Sequence, residues 1–183
     1  SNHSELDHSG SLGNAIDAIQ PAKVLASRMG GKTLQEHFHW DRQIEAVKDG
    51  ERLDLGNRHL TFLETRMLHW PDSMFSFMRE KGVLFSNDAF GQHLATDERF
   101  DDELELAYVL KGAQFFYANN LNLLSPLIKK LLVSIEKKDL NLRIIAPDHG
   151  LIWRTAPTAI LQAYRKWSHQ ESEKEFLVVY DTK

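Results

Sequence analysis

Three β-prone apolar runs in this chain each end on a histidine or an aspartate. Thr61 to Leu68 leads into His69, Val83 to Asn87 into Asp88, and Ile144 to Asp148 into His149. Loops at strand ends are where a rigid sheet holds functional groups. One such residue is ordinarily a hydrogen-bonded structural side chain. Three of them, beside an opening that reads Asn2-His3-Ser4-Glu5-Leu6-Asp7-His8, call for a fold that carries several strand ends to one place. In an extended segment alternate side chains point the same way, so His3, Glu5 and Asp7 are expected on one side with His8 adjacent.

The candidate ligands number seven: His3, Glu5, Asp7, His8, His69, Asp88 and His149. One four-coordinate zinc cannot use seven, whereas two metals can if a carboxylate such as Asp88 bridges them and each keeps an open position. Imidazoles and carboxylates without sulfur suit iron, manganese or zinc, and ligand softness does not separate these. The chain has no cysteine, which excludes disulfides, thiolate zinc, Cys nucleophiles and cysteine-bound iron–sulfur clusters within it. Lys plus Arg total 22 against 26 Asp plus Glu, a formal charge of −4 that argues against nucleic-acid or anionic-membrane partners. No apolar run approaches the roughly 18 to 20 residues of a membrane span, and Ser1 to Ser11 does not read as a signal peptide.

The 183 residues amount to about one domain. Short helices are predicted at Leu12–Gln20 and Thr33–His37, the second after a break at Gly30-Gly31. Strands are predicted at Ala22–Ser27, Gln43–Val47 and His59–Leu68, with a hairpin of Met74–Met78 and Val83–Ser86. Helical periodicity runs from Asp101 to Lys137, followed by a strand at Leu142–Ala146, a helix at Ala156–Trp167 and a strand at Phe176–Tyr180. This order predicts an α/β (α+β) layered sandwich. Both ends read as cut from a longer polypeptide, since a metal loop needs support on both sides and the chain closes on an apolar strand.

The four motifs in order, His3-x-Glu5-x-Asp7-His8, Leu68-His69-Trp70-Pro71-Asp72-Ser73-Met74, Leu84-Phe85-Ser86-Asn87-Asp88-Ala89-Phe90-Gly91 and Asp148-His149-Gly150, resemble the flavodiiron proteins. That resemblance implies a metallo-β-lactamase-like αββα sandwich lacking its first strands over residues 1–175. It also implies that residues 176–183 begin a flavodoxin-like domain whose FMN contacts lie beyond Lys183. One iron would be held by His3, Glu5 and His69, the other by Asp7, His8 and His149, with Asp88 bridging. Glu5 stands where hydrolytic relatives carry an imidazole; its anionic oxygen favours iron and redox chemistry over zinc and hydrolysis. The implied activity is reduction of dioxygen to water or of nitric oxide to nitrous oxide, with electrons delivered through FMN from rubredoxin or a flavin reductase. A head-to-tail homodimer in the cytoplasm is implied too. The alternatives are a diiron oxygen-binding sensor and a dizinc hydrolase. Tyr117 is similar to a pocket tyrosine of that family, although a helix residue packed in the core explains it as well. His93 is a candidate for lining the pocket. His37, His39, His59 and His169 read as surface residues, the acidic run Asp97–Glu105 as a solvated helix start, and Lys129-Lys130 and Lys137-Lys138 as an exposed helix face.

Overall fold

The computed structural model describes residues 1–40 and 42–170. Two sheets lie at its centre. The smaller pairs β1 (Leu25–Ser27) with β2 (Glu45–Val47) in parallel. The larger has the order β3 (Arg52–Asp54), β4 (His59–Glu64), β5 (Met74–Met78), β6 (Val83–Phe85), β7 (Ile144–Ala146), antiparallel except for the final β6–β7 pair.

Period-two alternation assigns the two faces of the larger sheet. Phe62 and Met74 join Val47 in a cluster that also takes Leu25, Leu53 and Leu60, so it lies between the sheets. Leu63, Phe75, Phe77, Leu84 and Ile145 face the other way, into the main core. There they meet Val109, Ala113 and Phe116 of α4 (Leu106–Phe116), Ile128, Leu132 and Ile135 of α5 (Ser125–Lys137), and Ile160 and Tyr164 of α6 (Pro157–Ser168). Each fully buried side chain of this size contributes about 1.5–3 kcal/mol of burial. Two short helices, α1 (Leu6–Ser9) and α2 (Leu12–Ile19), open the chain, and α3 (Arg28–Phe38) packs on β1 and β2. The layers are therefore helix, sheet, sheet, helices.

The pairing directions place the site. The C-terminal ends of β4, β6 and β7 and the N-terminal end of β5 lie along one edge. His69 sits in the β4–β5 connection, Asp88 three residues beyond β6, and His149 three beyond β7.

Local structure departs from the sequence-based expectation in three places. The strand predicted to Leu68 ends at Glu64, because Thr65 to Ser73 folds into turns (Leu68 N to Thr65 O 2.9 Å, Met67 N to Trp70 O 2.8 Å) that bury Leu68 in the core. Gly30-Gly31 lies inside α3 rather than breaking it. Ser27 caps that helix by accepting from Gly30 N at 3.0 Å, and a Cβ on Gly30 would stand 3.2 Å from the capping Ser27 Oγ, so the glycine leaves the cap room. The long helical pattern splits at a π-type turn, Tyr117–Leu121, before α5 begins with Pro126 in its first turn. The strand expected at Phe176–Tyr180, and the domain boundary beside it, lie outside the described residues.

Candidate metal centre

The opening segment docks on the site edge. Asn2 O accepts from Met74 N at 3.0 Å, Asn2 Nδ2 donates to Phe85 O at 3.3 Å, and Ser76 Oγ donates to Asn2 Oδ1 at 2.7 Å. From Glu5 the chain turns helical, not extended, as His8 N and Ser9 N both bond to Glu5 O. The alternation expected of His3, Glu5 and Asp7 is thereby broken. Glu5 stays with His3, while the turn carries Asp7 and His8 toward His149.

The seven residues do converge, and they sort into two groups. In the first, Glu5 Oε2 lies 3.2 Å from His3 Nε2 and 3.2 Å from His69 Nε2. In the second, Asp7 lies 3.6 Å from His8 Nε2 through Oδ1 and 3.4 Å from His149 Nε2 through Oδ2. Asp88 stands between them. Its Oδ2 faces His3 Nε2 at 3.5 Å and His69 Nε2 at 3.7 Å; its Oδ1 faces His8 Nε2 at 3.3 Å and His149 Nε2 at 3.2 Å. His3–His69–Asp88 and Asp7–His8–His149 each bring their ligand atoms within 4.8 Å of one another, metal-binding dimensions. Asp88 Oδ2 is buried without a hydrogen bond, an acceptor of the kind a cation satisfies.

Surrounding groups aim these side chains. A carboxylate only accepts, so His3 Nδ1–H donates to Asp72 Oδ2 at 3.1 Å, which leaves Nε2 free to face the cluster. The same oxygen accepts from Ser4 N and Ser4 Oγ, both at 2.7 Å. His8 Nδ1 lies 3.4 Å from Asp148. The Asp88 loop is held by Asn87 Nδ2 on Met74 O, by Phe90 N on the Tyr164 hydroxyl at 2.7 Å, and by Trp153 Nε1 on Phe90 O at 2.8 Å. Gly150, at φ +76°, lets the His149 loop pass against Gln92, whose Oε1 a Cβ would strike.

The charges are strongly coupled. Burial works to raise the Asp88 carboxyl, but the surrounding imidazoles of His149, His69, His8 and His3 overcome it and hold the group well below the carboxylate range. Asp72 is likewise lowered: burial opposes, while His3 and Ser4 prevail. Burial opposes protonation of His3, yet Asp72, Asp88 and Glu5 raise it; His8 is raised chiefly by its hydrogen bond to Asp88. Asp148 is raised by burial.

Several side chains escaped the sequence-based reading or differ from it. Asp72 and Asp148 sit inside the four motifs, but nothing local distinguishes an orienting carboxylate from a ligand. Tyr117 faces the core: its hydroxyl bonds to Ser125 Oγ at 2.7 Å and its ring packs on Tyr164 and Trp167. Its neighbour Phe116, not Tyr117, lies beside the centre, 5.6 Å from the His149 ring. His93 does reach the periphery, 5.1 Å from His149. Trp70 edges onto His3 at 5.4 Å. Within the acidic run, Asp101 is buried, not solvated; its carboxylate accepts from the backbone N–H groups of Arg154, Thr155 and Ala156 ahead of α6. His59, in β4, pairs with Glu80 at 2.8 Å, and His169, just past α6, bonds to Arg165 O.

This architecture, a metallo-β-lactamase-like αββα sandwich with two ligand groups sharing one aspartate at its strand ends, defines a class of proteins with a candidate two-metal site. A family model described as ODP family beta lactamase matches residues 1–150. The chain belongs to that family and, within it, to the flavodiiron proteins. It is 42% identical over 182 residues to a nitric oxide reductase of Moorella thermoacetica, covering 99% of this chain and 46% of the relative. It superimposes on the rubredoxin oxygen:oxidoreductase of Desulfovibrio gigas with a TM-score of 0.90 at 40% identity, covering 94% of this chain and 44% of the other. The flavodiiron protein of Giardia intestinalis gives 0.87 at 32% identity, covering 93% and 42%. The chain thus spans less than half the length of these relatives. Among the described residues no helix is long and apolar enough to cross a membrane.

Proposed function

We propose that this chain is the diiron domain of a cytoplasmic oxidoreductase that reduces dioxygen to water, nitric oxide to nitrous oxide, or both. The observation that carries the reading is the division of Asp88, one carboxylate oxygen toward His3 and His69 and the other toward His8 and His149. In this reading His3, Glu5 and His69 hold one iron, Asp7, His8 and His149 the other, and Asp88 spans both. A pair of irons so held supplies redox electrons and open coordination positions for a small diatomic substrate.

The chain's own residues prepare the site. Glu5 stands where the resemblance puts an imidazole in hydrolytic members, and it is on that resemblance that the reading takes iron over zinc. Asp72 holds His3 in the tautomer whose Nε2 can ligate. Leu68, next to His69 in the chain, is buried in the main core, and Phe116 packs 5.6 Å from the His149 ring, so both place apolar groups near the candidate ligands. FMN completes the proposal as the electron carrier, bound by a flavodoxin-like domain beginning near residue 176 and fed by rubredoxin or a flavin reductase. A head-to-tail homodimer brings that flavin to the partner's irons. The relatives named for nitric oxide reduction and for oxygen reduction support the reaction class and leave both substrates in it.

The test combines metal analysis with turnover. Protein produced with ample iron and reduced anaerobically is expected to hold two irons and to consume dioxygen or nitric oxide on mixing. Two zinc with no iron favours a hydrolase. Two irons that bind dioxygen without consuming it favours a sensor. Either result overturns the proposal.

A further inference from the structure

Resting on the diiron reading above, we infer that the two positions load in order. The position at His3, Glu5 and His69 takes metal first and tightly; the position at Asp7, His8 and His149 takes it second and releases it more readily. The protein's own contacts hold the two ligand groups to different degrees, and that difference sets the order.

His3 is fixed by its surroundings. Its side chain is fully buried, its Nδ1–H donates to Asp72 at 3.1 Å, and Trp70 edges onto its ring at 5.4 Å. The backbone on either side is pinned by Met74 N on Asn2 O at 3.0 Å, Ser1 Oγ on His3 O at 2.9 Å and Ser4 N on Asp72 at 2.7 Å. Glu5 follows directly on Ser4. His69 leaves a turn closed by Met67 N on Trp70 O at 2.8 Å and anchored by buried Leu68.

The second group lacks such support. Asp7 and His8 ride on α1, a single turn with no side-chain cap at its start and with Leu6 61% exposed. Asp7 is 51% exposed, and its ionic partners among the described residues are His8 and His149 alone. His8 Nδ1 stands 3.4 Å from Asp148, which is itself 37% exposed, and makes no hydrogen bond with it. His69 and His149 are alike in having only candidate ligands as ionic partners, so the contrast lies in His3 against His8 and in the pinned segment against the turn. Ser9 Oγ on Ser4 O at 2.8 Å ties the far end of that turn, which leaves residues 5–8 as the stretch a second cation fastens. A ligand already oriented loses less freedom on binding, and a carboxylate on the distal imidazole nitrogen is worth about 10–100-fold in metal affinity.

The test uses the natural full-length polypeptide, stripped of metal by a chelator and titrated anaerobically with ferrous iron against a competing indicator. Two phases of one equivalent each are expected, separated by about 10–100-fold in affinity. Asp7→Ala should remove the weak phase and keep the tight one. Asp72→Asn should weaken the tight phase by about the same factor and bring the two together. Hydrogen exchange gives a readout free of turnover: the amides of His8, Ser9 and Gly10, bonded to Glu5 O and Leu6 O, should slow only with the second equivalent. Far-ultraviolet circular dichroism separates loss of fold from loss of a ligand. Two equivalents bound with one affinity, a tight phase abolished by Asp7→Ala in folded protein, or α1 amides fully protected after the first equivalent overturns the inference and leaves the diiron reading standing. Uptake of no more than one equivalent by the wild type removes both.

Discussion

Asp72 is the position at which site geometry becomes a measurable free energy. Its Oδ2 takes three donors, His3 Nδ1, Ser4 N and Ser4 Oγ, and the residue is 2% exposed. Asp72→Ala strands these three donors in a buried place at about 1–3 kcal/mol each, so a loss of at least about 3 kcal/mol is expected. Asp72→Asn can keep an oxygen at the Oδ2 position and loses the charge assistance, for about 2–3 kcal/mol. Its metal affinity should fall about 10–100-fold, because His3 is less firmly held with Nε2 toward the cluster. The pH dependence has a sign. In metal-free protein the raised His3 stabilises below its ordinary pKa of 6.5 and loses that contribution as pH rises through its raised value. The lowered Asp72 stabilises above 3.8 and loses its contribution as pH falls through its lowered value. The pair therefore stabilises metal-free protein most between these two reference values, and Asp72→Asn flattens both limbs. Urea unfolding across pH and chelator competition read the two effects. A metal-free Asp72→Asn protein within 0.5 kcal/mol of wild type, with unchanged metal affinity, would refute the orienting role.

Asp88→Asn cannot present an oxygen to both imidazole pairs, so metal stoichiometry should drop from two to one or none while the far-ultraviolet circular dichroism stays native. Asp101→Ala leaves three backbone donors ahead of α6 without their acceptor and should cost about 2–4 kcal/mol in urea unfolding, with most of it restored by Asp101→Asn. Metal should be released on acidification, since the raised His8 imidazole takes up a proton that competes with the cation; retention of both metals well below pH 5 would contradict this. Glu80, held down to about 2 chiefly by its hydrogen bond with the His59 side chain, should rise toward its ordinary value in His59→Ala by carboxyl NMR yet stay below it, because the backbone N–H groups of residues 59 and 80 still donate to it.

Much of the candidate centre is legible in the sequence because residue types able to ligate metals are chemically distinctive and here end β-prone runs. His69, Asp88 and His149 announce themselves by following Leu68, Asn87 and Asp148. What surrounds them is not legible there. Tyr117 and Phe116 are adjacent aromatics, and only the packing of their helix against the rest of the fold decides which faces His149 and which faces Tyr164. Asp101 resembles its solvated acidic neighbours in sequence because its burial depends on residues 154–156, more than fifty positions away. Gly30-Gly31 reads as a break because local propensity gives no account of the close packing that a small residue permits.

By itself the sequence determined the donor types, the lack of thiolates, the alternating faces of β4 and β5, and the family. These follow from side-chain chemistry and from periodicities of only a few residues. Tertiary structure alone decided how the seven candidate ligands divide into two groups around Asp88, and that Asp72 rather than water orients His3. Those outcomes depend on strand order and loop packing, which bring together side chains that share no local pattern, and no short-range propensity encodes that meeting.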